Sequence, residues 1–393
     1  MVGVLRRVLG DFDAAEDAVQ DAFVVALERW PRDGTPARPG AWILTTARNK
    51  AIDRARREST RGAREESAHR SLAALDGWDA PSPEVVRDDL LRLVFVCCHP
   101  VLPDESRVAL ALKTLCGLQT AEVARLLLTT EANAAQRVVR AKRRLAADDI
   151  AYEVPAAHEL PDRLPAVLAT VHLLFTEGHN STSAGEHVRA ELCDEAVRLA
   201  GVLAELMPDE PEALGLHALL LLTDARRATR VDHEGELVLI ADQDRARWDH
   251  NAIARGVALV EDALRRGRAG RYQLEAAIAA CHASAATYAD TDWAEIAALY
   301  ALLDDVAPSP VVTLNRAVAM AEAFDPQTGL DHLAQLGDEL ADNHLRWAVA
   351  ADLHARLGDN AAAAAAYRRA LECAPNPTEA RFLDARLAAL TDR

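Results

Sequence analysis

Gln136, Arg137, Arg140, Arg143 and Arg144 fall within one short stretch, Glu131 to Leu145, and their types and spacing suit the reading of nucleic acid. Gln can pair with an adenine edge, Arg with a guanine edge, and further cations can hold phosphates. Between them Ala134, Val138, Ala141 and Leu145 recur at spacings of four, three and four. A helix turns those four to one side and leaves the polar set on the rest. Just upstream, Ala121, Val123, Ala124, Leu127 and Leu128 give a two-turn helix an apolar face, with Thr120 and Glu122 as its start and Thr129-Thr130 as punctuation. The pattern predicts a helix-turn-helix whose second helix fits the major groove. An Arg-rich amphipathic helix is also an ordinary solvated surface, so the upstream segments decide.

Two further segments carry chemistry suited to opening a duplex. In Asp11–Trp30, a helical stripe of Ala15, Val19, Phe23, Ala26 and Trp30 opposes Asp13, Asp17, Gln20, Asp21 and Glu28. In Gly40–Arg61, Lys50, Arg54, Arg57 and Arg61 recur at spacings of four, three and four, beside Arg48, Asn49, Asp53 and Arg56, and form a cationic stripe. The prolines and glycines of Pro31–Gly40 predict an irregular loop between the two helices.

Other candidate chemistry is weaker. Asp242, Asp244, Arg245 and Trp248 cluster where Asp232–Asp249 breaks the helical period. Clustered carboxylates can mark a hydrolytic or metal site, but the sequence offers no nucleophile with an obvious base, and a loop held by internal salt bridges accounts for them better. Cys97-Cys98-His99 lacks a second ligand pair for zinc. The six cysteines show no C-x-x-C spacing and there is no signal peptide, so they read as reduced thiols of a cytoplasmic protein. No cofactor, metal or enzymatic activity is implied, and no apolar run is long enough for a membrane span.

The elements that must position these residues are helical. The 393 residues predict an all-α chain of two or three domains. The net charge of -17 is unevenly placed: residues 1–150 carry 23 Lys+Arg against 22 Asp+Glu, and residues 151–393 carry 21 against 39. An acidic half beside DNA would be repelled, so it faces solvent, a partner or the basic stripes of its own N-terminal half. Residues 59–87 are polar with Pro81 and Pro83 and read as a linker; Asp88–Leu118 reads as two helices broken at His99-Pro100 and Pro103. Beyond Pro155 the chain is Ala- and Leu-rich. Ala351, His354, Gly358, Ala363, Tyr367, Ala370 and Pro375 have the spacing of a tetratricopeptide repeat, and similar ends recur at Ile296–Pro308 and Ala196–Pro208. The intervals between repeat ends are not whole periods, and a plain globular helical domain is the alternative.

Taken in order, these motifs resemble the extracytoplasmic-function group of sigma-70 family sigma factors. The matching residues are Asp17, Gln20, Asp21 and Phe23, then Trp42, Ala47, Arg48, Asn49, Asp53, Arg56 and Arg57, then Glu122, Ala124, Arg137, Arg140, Ala141 and Lys142. The resemblance covers roughly residues 3–147, and the C-terminal part is similar to the subgroup with a tetratricopeptide-like extension. It implies a region 2 domain over 1–58, a linker over 59–87, a region 4 helix-turn-helix domain over 88–150 and a helical regulatory domain over 151–393. It further implies that Asp17, Gln20 and Asp21 dock on the beta-prime clamp helices of RNA polymerase core. Arg48, Asn49, Lys50, Arg54, Arg56 and Arg57 would hold the melted minus-10 strand, with a base flipped out near Asn49. Gln136, Arg137, Arg140, Lys142 and Arg143 would meet the minus-35 element, with Ala132 and Ala135 leaving room for bases. The extension would offer a concave surface to a protein or peptide. Asn133-Ala134 stands where many such factors carry Thr-Val, which bears on minus-35 preference, and the chain starts inside the first helix of the family pattern, as a start codon assigned too late would make it. A rival from another class is a helix-turn-helix adaptor with a protein-binding solenoid that never engages polymerase.

Overall fold

The computed structural model describes Leu5 and residues 12–36, 39–59, 92–115, 117–148, 150, 155, 159–179, 189–233, 236–267, 269–374 and 377–391. The linker expected over 59–87 lies outside the described residues apart from Ser59, which ends a helix. Among the described residues the chain is helical, with one isolated antiparallel bridge between Val231 and Leu237. It divides into two compact units, 1–170 and 171–393.

In the first unit, α1 (Phe12–Asp33) and α2 (Pro39–Ser59) form an antiparallel pair. Small inward residues let them close: Ala15, Ala18, Ala22 and Ala26 of α1 meet Ile43, Leu44, Ala47 and Ala51 of α2, with Val19 and Leu5 completing the core. Trp30 and Trp42 cap that core edge to face, with ring centres 5.6 Å apart. Two expectations change here. The loop expected over Pro31–Gly40 is shorter, because α1 continues through Pro31 to Asp33. A proline this close to a C-terminus forfeits one helical bond at little further cost, and the stop comes from Gly34, whose φ of 81° is a left-handed cap with its N–H on the Trp30 carbonyl. Phe23, expected in the buried stripe, faces outward; the inward position is taken by Ala22, one residue earlier.

A short helix over 92–97, then α3 (Asp104–Leu115), α4 (Thr120–Leu126) and α5 (Glu131–Ala147) follow. The break at His99-Pro100 and the restart after Pro103 are present as the sequence predicts. The helix α4 starts at Thr120 as the sequence reading has it, with Gln119 as the cap, and the buried Glu122 carboxylate accepts the Gln119 backbone N–H at 2.6 Å. Leu127 and Leu128, expected on the face of α4, lie beyond its end. Leu128 has a φ of 49° and is exposed, so it forms the turn. Thr130 then caps α5, its hydroxyl accepting from the Asn133 N–H at 3.3 Å. Ala134, Ala141 and Leu145 are buried as expected, with Val138 partly so.

The second unit receives the later turns of α6 (Leu160–His179) and stacks helix hairpins: α7 (Ala190–Leu206) with α8 (Pro211–Asp224), α9 (His250–Arg265) with α10 (Arg271–Ser284), α11 (Trp293–Val306) with α12 (Pro310–Ala323) and α13 (Pro326–Leu333), and α14 (His344–Arg356) with α15 (Asn360–Glu372), closed by α16 (Pro377–Thr391). The repeat-like positions do the work the sequence assigns them. Ala351, Ala363, Tyr367 and Ala370 are buried between α14 and α15, and Gly358 turns between them with a φ of 81°. One cap crosses between layers: the Glu212 carboxylate of α8 accepts the N–H groups of Tyr272 and Gln273 at 3.1 and 3.2 Å, satisfying the start of α10.

The segment Asp232–Asp249 is irregular as expected, but Asp244 and Asp249 serve it as helix caps rather than as members of a charge network, accepting the N–H groups of Ala246 and of Asn251 and Ala252. Hydrogen bonds fix the loop, Trp248 Nε1 to Thr229 Oγ1 at 3.0 Å, Gln243 Nε2 to the Val238 carbonyl at 3.0 Å, and Arg245 to the His282 and Ala285 carbonyls, and one ion pair, Glu236 with Arg381 at 2.7 Å, joins its edge to α16.

Candidate nucleic-acid and polymerase interface

The helix-turn-helix presents its polar set outward. Gln136, Arg140 and Arg143 are exposed on α5, with Arg137 and Lys142 partly covered. Arg140 donates to Gln136 Oε1 at 2.8 Å, so the two side chains form one presented unit a helical turn long. Arg137 is tethered to Glu105 at 2.5 Å, and Lys142 to Glu16 at 2.5 Å. Ala132 and Ala135 are exposed beside them and leave the front of the helix low. The apolar residues Ala134, Ala141 and Leu145 hold this face in place by packing the opposite side of α5 against α3 and α4.

On α2 the cations are likewise at the surface. Arg54 and Asn49 are exposed, Arg48 and Lys50 partly so, while Arg56 and Arg57 lie on the helix with side chains outside the described residues. Arg29, Trp42, Thr46, Asn49, Lys50 and Asp53 line a hollow of about 380 Å³ between α1 and α2. Its aromatic wall, amide and cation are what an unstacked base and its phosphate require. Asn49 and Lys50 were legible in the sequence; Arg29 and Thr46 join them only through the pairing of the two helices.

Asp17, Gln20 and Asp21 are exposed on α1. Beside them run Phe23, Val24 and Leu27, which are 45%, 54% and 77% exposed. The sequence reading missed this second apolar strip because it placed Phe23 in the core. The available signal was that Ala15, Val19, Ala22 and Ala26 already complete an inward face. An acidic margin along an open apolar strip has the chemistry that suits docking on another protein.

Burial pushes the Cys98 thiol up to about 12, and Val101 N–H donates to His99 Nδ1 at 3.2 Å. Among the described residues no three His, Cys, Asp or Glu side chains gather as metal ligands, and no helix is long and apolar enough to cross a membrane.

Comparison with known families matches Sigma-70 region 2 to residues 1–61 and Sigma-70 region 4 to residues 92–145, and a family of unknown function, DUF6596, to residues 163–264. The "ECF RNA polymerase sigma factor SigK" of Mycobacterium ulcerans (strain Agy99) is 33% identical over 131 residues, 32% of this chain and 67% of its own length. The chain belongs to the extracytoplasmic-function sigma factors of the sigma-70 family. The "ECF RNA polymerase sigma factor SigJ" of Mycobacterium tuberculosis (strain ATCC 25618 / H37Rv) is 30% identical over 176 residues, 43% of this chain and 55% of its own. Similarity continues past the two sigma regions in the "Uncharacterized protein R00370" of Rhizobium meliloti (strain 1021), 41% identical over 387 residues, 97% of this chain and 91% of that protein. No solved structure matches the chain. This sigma factor therefore couples the two regions of its family to a helical extension.

Proposed function

We propose that this sigma factor brings RNA polymerase core to promoters through two separate contacts on DNA, opens the minus-10 region, and is controlled in cis by its own extension. Within this reading the working parts are residues 1–58 for core and minus-10 binding, 59–87 as linker, 88–150 for minus-35 binding and 151–393 for control. Asp17, Gln20 and Asp21 meet the beta-prime clamp helices, with the Phe23–Leu27 strip as the apolar centre of that contact. Arg48, Asn49, Lys50, Arg54, Arg56 and Arg57 hold the melted strand, with a base in the hollow beside Asn49 and Trp42. Gln136 and Arg140 address base edges at minus-35; Arg137, Lys142 and Arg143 address phosphate. The extension presents a surface for a protein or peptide, and the factor acts in the cytoplasm.

The observation that carries the reading is the exposure of two cationic helix faces, on α2 and α5, inside the two matched sigma regions. Run-off transcription from a broad promoter library tests it. Added to core enzyme, the protein should direct initiation at a restricted set of promoters, and no initiation above core alone would overturn the reading. Co-elution with core separates it from a DNA-binding adaptor. Transcription with and without residues 156–393 gives the sign of the control.

A further inference from the structure

The second unit holds a cavity that transcription does not explain. Turns of α6, α8, α10, α11 and α12 enclose about 660 Å³, the volume of a small-molecule site. Its charge runs against that of its surroundings. Residues 151–393 carry 21 Lys+Arg against 39 Asp+Glu, yet the charged side chains lining the cavity are Arg226, Arg230 and Arg271 against Glu275 alone. Glu275 is already engaged, accepting from Arg271 Nε at 2.9 Å and lying 3.8 Å from His172 Nε2. Arg230 donates to the His179 carbonyl at 2.7 Å and feels Glu379.

Arg226 is the exception. Among the described residues its guanidinium makes no hydrogen bond or ion pair, and the charges acting on it and through it are those of Arg245 and Arg230, both repulsive. Arg226 is partly buried, and a partly buried cation among like charges favours an anion that joins it. A second orphan lies close by: His282 Nδ1 is buried without a hydrogen-bond partner. The remainder of the wall is largely aliphatic, with a group of aromatic rings set into it. His282 and Tyr288 both meet Trp293 edge on, with centres 5.1 and 5.3 Å from it, and Trp248 and Tyr300 also line the space.

We propose that this cavity binds a small aromatic anion, a carboxylate or phosphate carried on a planar ring, with Arg226 and Arg230 gripping the anion and Trp293, Tyr288 and Trp248 flanking the ring. A guanidinium fork matches either oxyanion in a bidentate pair, and ring edges and faces favour a flat partner. The inference does not depend on the transcriptional reading, and its test reads binding alone.

The test uses the full chain with phenyl phosphate, benzoate, inorganic phosphate and benzyl alcohol, each followed by calorimetric titration and thermal unfolding. Phenyl phosphate or benzoate should bind saturably and raise the unfolding temperature, inorganic phosphate more weakly, and benzyl alcohol not at all. Arg226→Met should weaken the aryl anion at least about ten-fold, while leaving the ligand-free protein as stable or more so, since it removes an uncompensated charge. Arg226→Lys keeps the charge and should retain part of the affinity. No saturable binding of either aryl anion at millimolar concentration overturns the proposal, as does undiminished binding by a folded Arg226→Met protein. Equal binding of inorganic phosphate and phenyl phosphate overturns the role of the rings, and equal binding of benzyl alcohol overturns that of the arginines. A ligand-free Arg226→Met protein that unfolds at markedly lower temperature would make Arg226 a structural residue and also defeat the inference.

Discussion

Arg54 of α2 donates to Asp17 of α1 at 2.7 Å across the helix pair, although the proposed roles set one toward DNA and the other toward polymerase. Each side chain is about half exposed, so the pair adds little to stability, at most about 1 kcal/mol. Asp17→Asn should therefore leave the urea midpoint nearly unchanged while slowing association with core enzyme, most at low salt. Rapid-mixing kinetics over a salt series would read this; a large loss of stability with unaltered association would make Asp17 merely structural.

The exposed cations of α5 differ in how they are held. Among the described residues Arg140 is bound to the neutral Gln136 alone, whereas Lys142 already pairs with Glu16. A residue that exchanges one anion for another displaces less counterion than a free one. Arg140→Ala should lower the slope of log K against log salt by about 0.9, the loss of one phosphate contact, and Lys142→Ala should lower it by less. Promoter fragments titrated at several salt concentrations give both slopes, and equal effects would place the two side chains in the same role.

Acid should loosen the second unit. Burial, with Arg255 nearby, pushes His217 down to about 4, and burial, with Arg226 and Arg245, does the same to His282. Burial and Arg230 move His179 in the same direction. The unfolded chain, with ordinary histidines near 6.5, then binds more protons than the folded one, so stability is full above about 6.5 and is lost as the pH falls toward about 4. Each group contributes up to about 1.4 kcal/mol per pH unit inside that window. Urea midpoints across it should fall, and His217→Gln should flatten the curve. A midpoint independent of pH there would count against neutral buried histidines.

Close helix crossings give a prediction in which two effects oppose. Alanine in place of a helical glycine gains about 1 kcal/mol in propensity. At Gly215 the added carbon would stand 2.7 Å from the Gln273 backbone nitrogen, which cannot step aside because Glu212 and α10 fix it. Overpacking of that kind costs about 1–3 kcal/mol, so Gly215→Ala should be destabilising. At Gly201 the same carbon would be 3.4 Å from the His217 ring, and Gly201→Ala should be close to neutral or better. Thermal unfolding of the two variants decides; equal melting temperatures would mean that the α8–α10 crossing yields more readily than its geometry implies.

Helix periodicity made the cationic face of α5 legible in advance, because Ala134, Ala141 and Leu145 leave its arginines a single outward side. It failed where neighbouring apolar residues compete for one inward position, as Ala22 and Phe23 do, and where a helix end is set by a glycine rather than by the proline before it, as at Gly34. Carboxylates in Asp232–Asp249 looked like a charge network because type and proximity in sequence do not reveal that Asp244 and Asp249 each face a helix start. The cavity of the second unit had no signal of this kind: Arg226, His282 and Trp293 become neighbours only through stacking of hairpins far apart in the chain.

The outward placement of Phe23, Val24 and Leu27 has a price for the molecule when it is alone. Water wets a greasy ribbon poorly, so copies made in excess of available polymerase are inclined to stick to one another or to whatever greasy surface they meet. The useful amount of such a factor in a cell is thus capped by the supply of its enzyme, and overproduction would yield precipitate before it yielded more transcript.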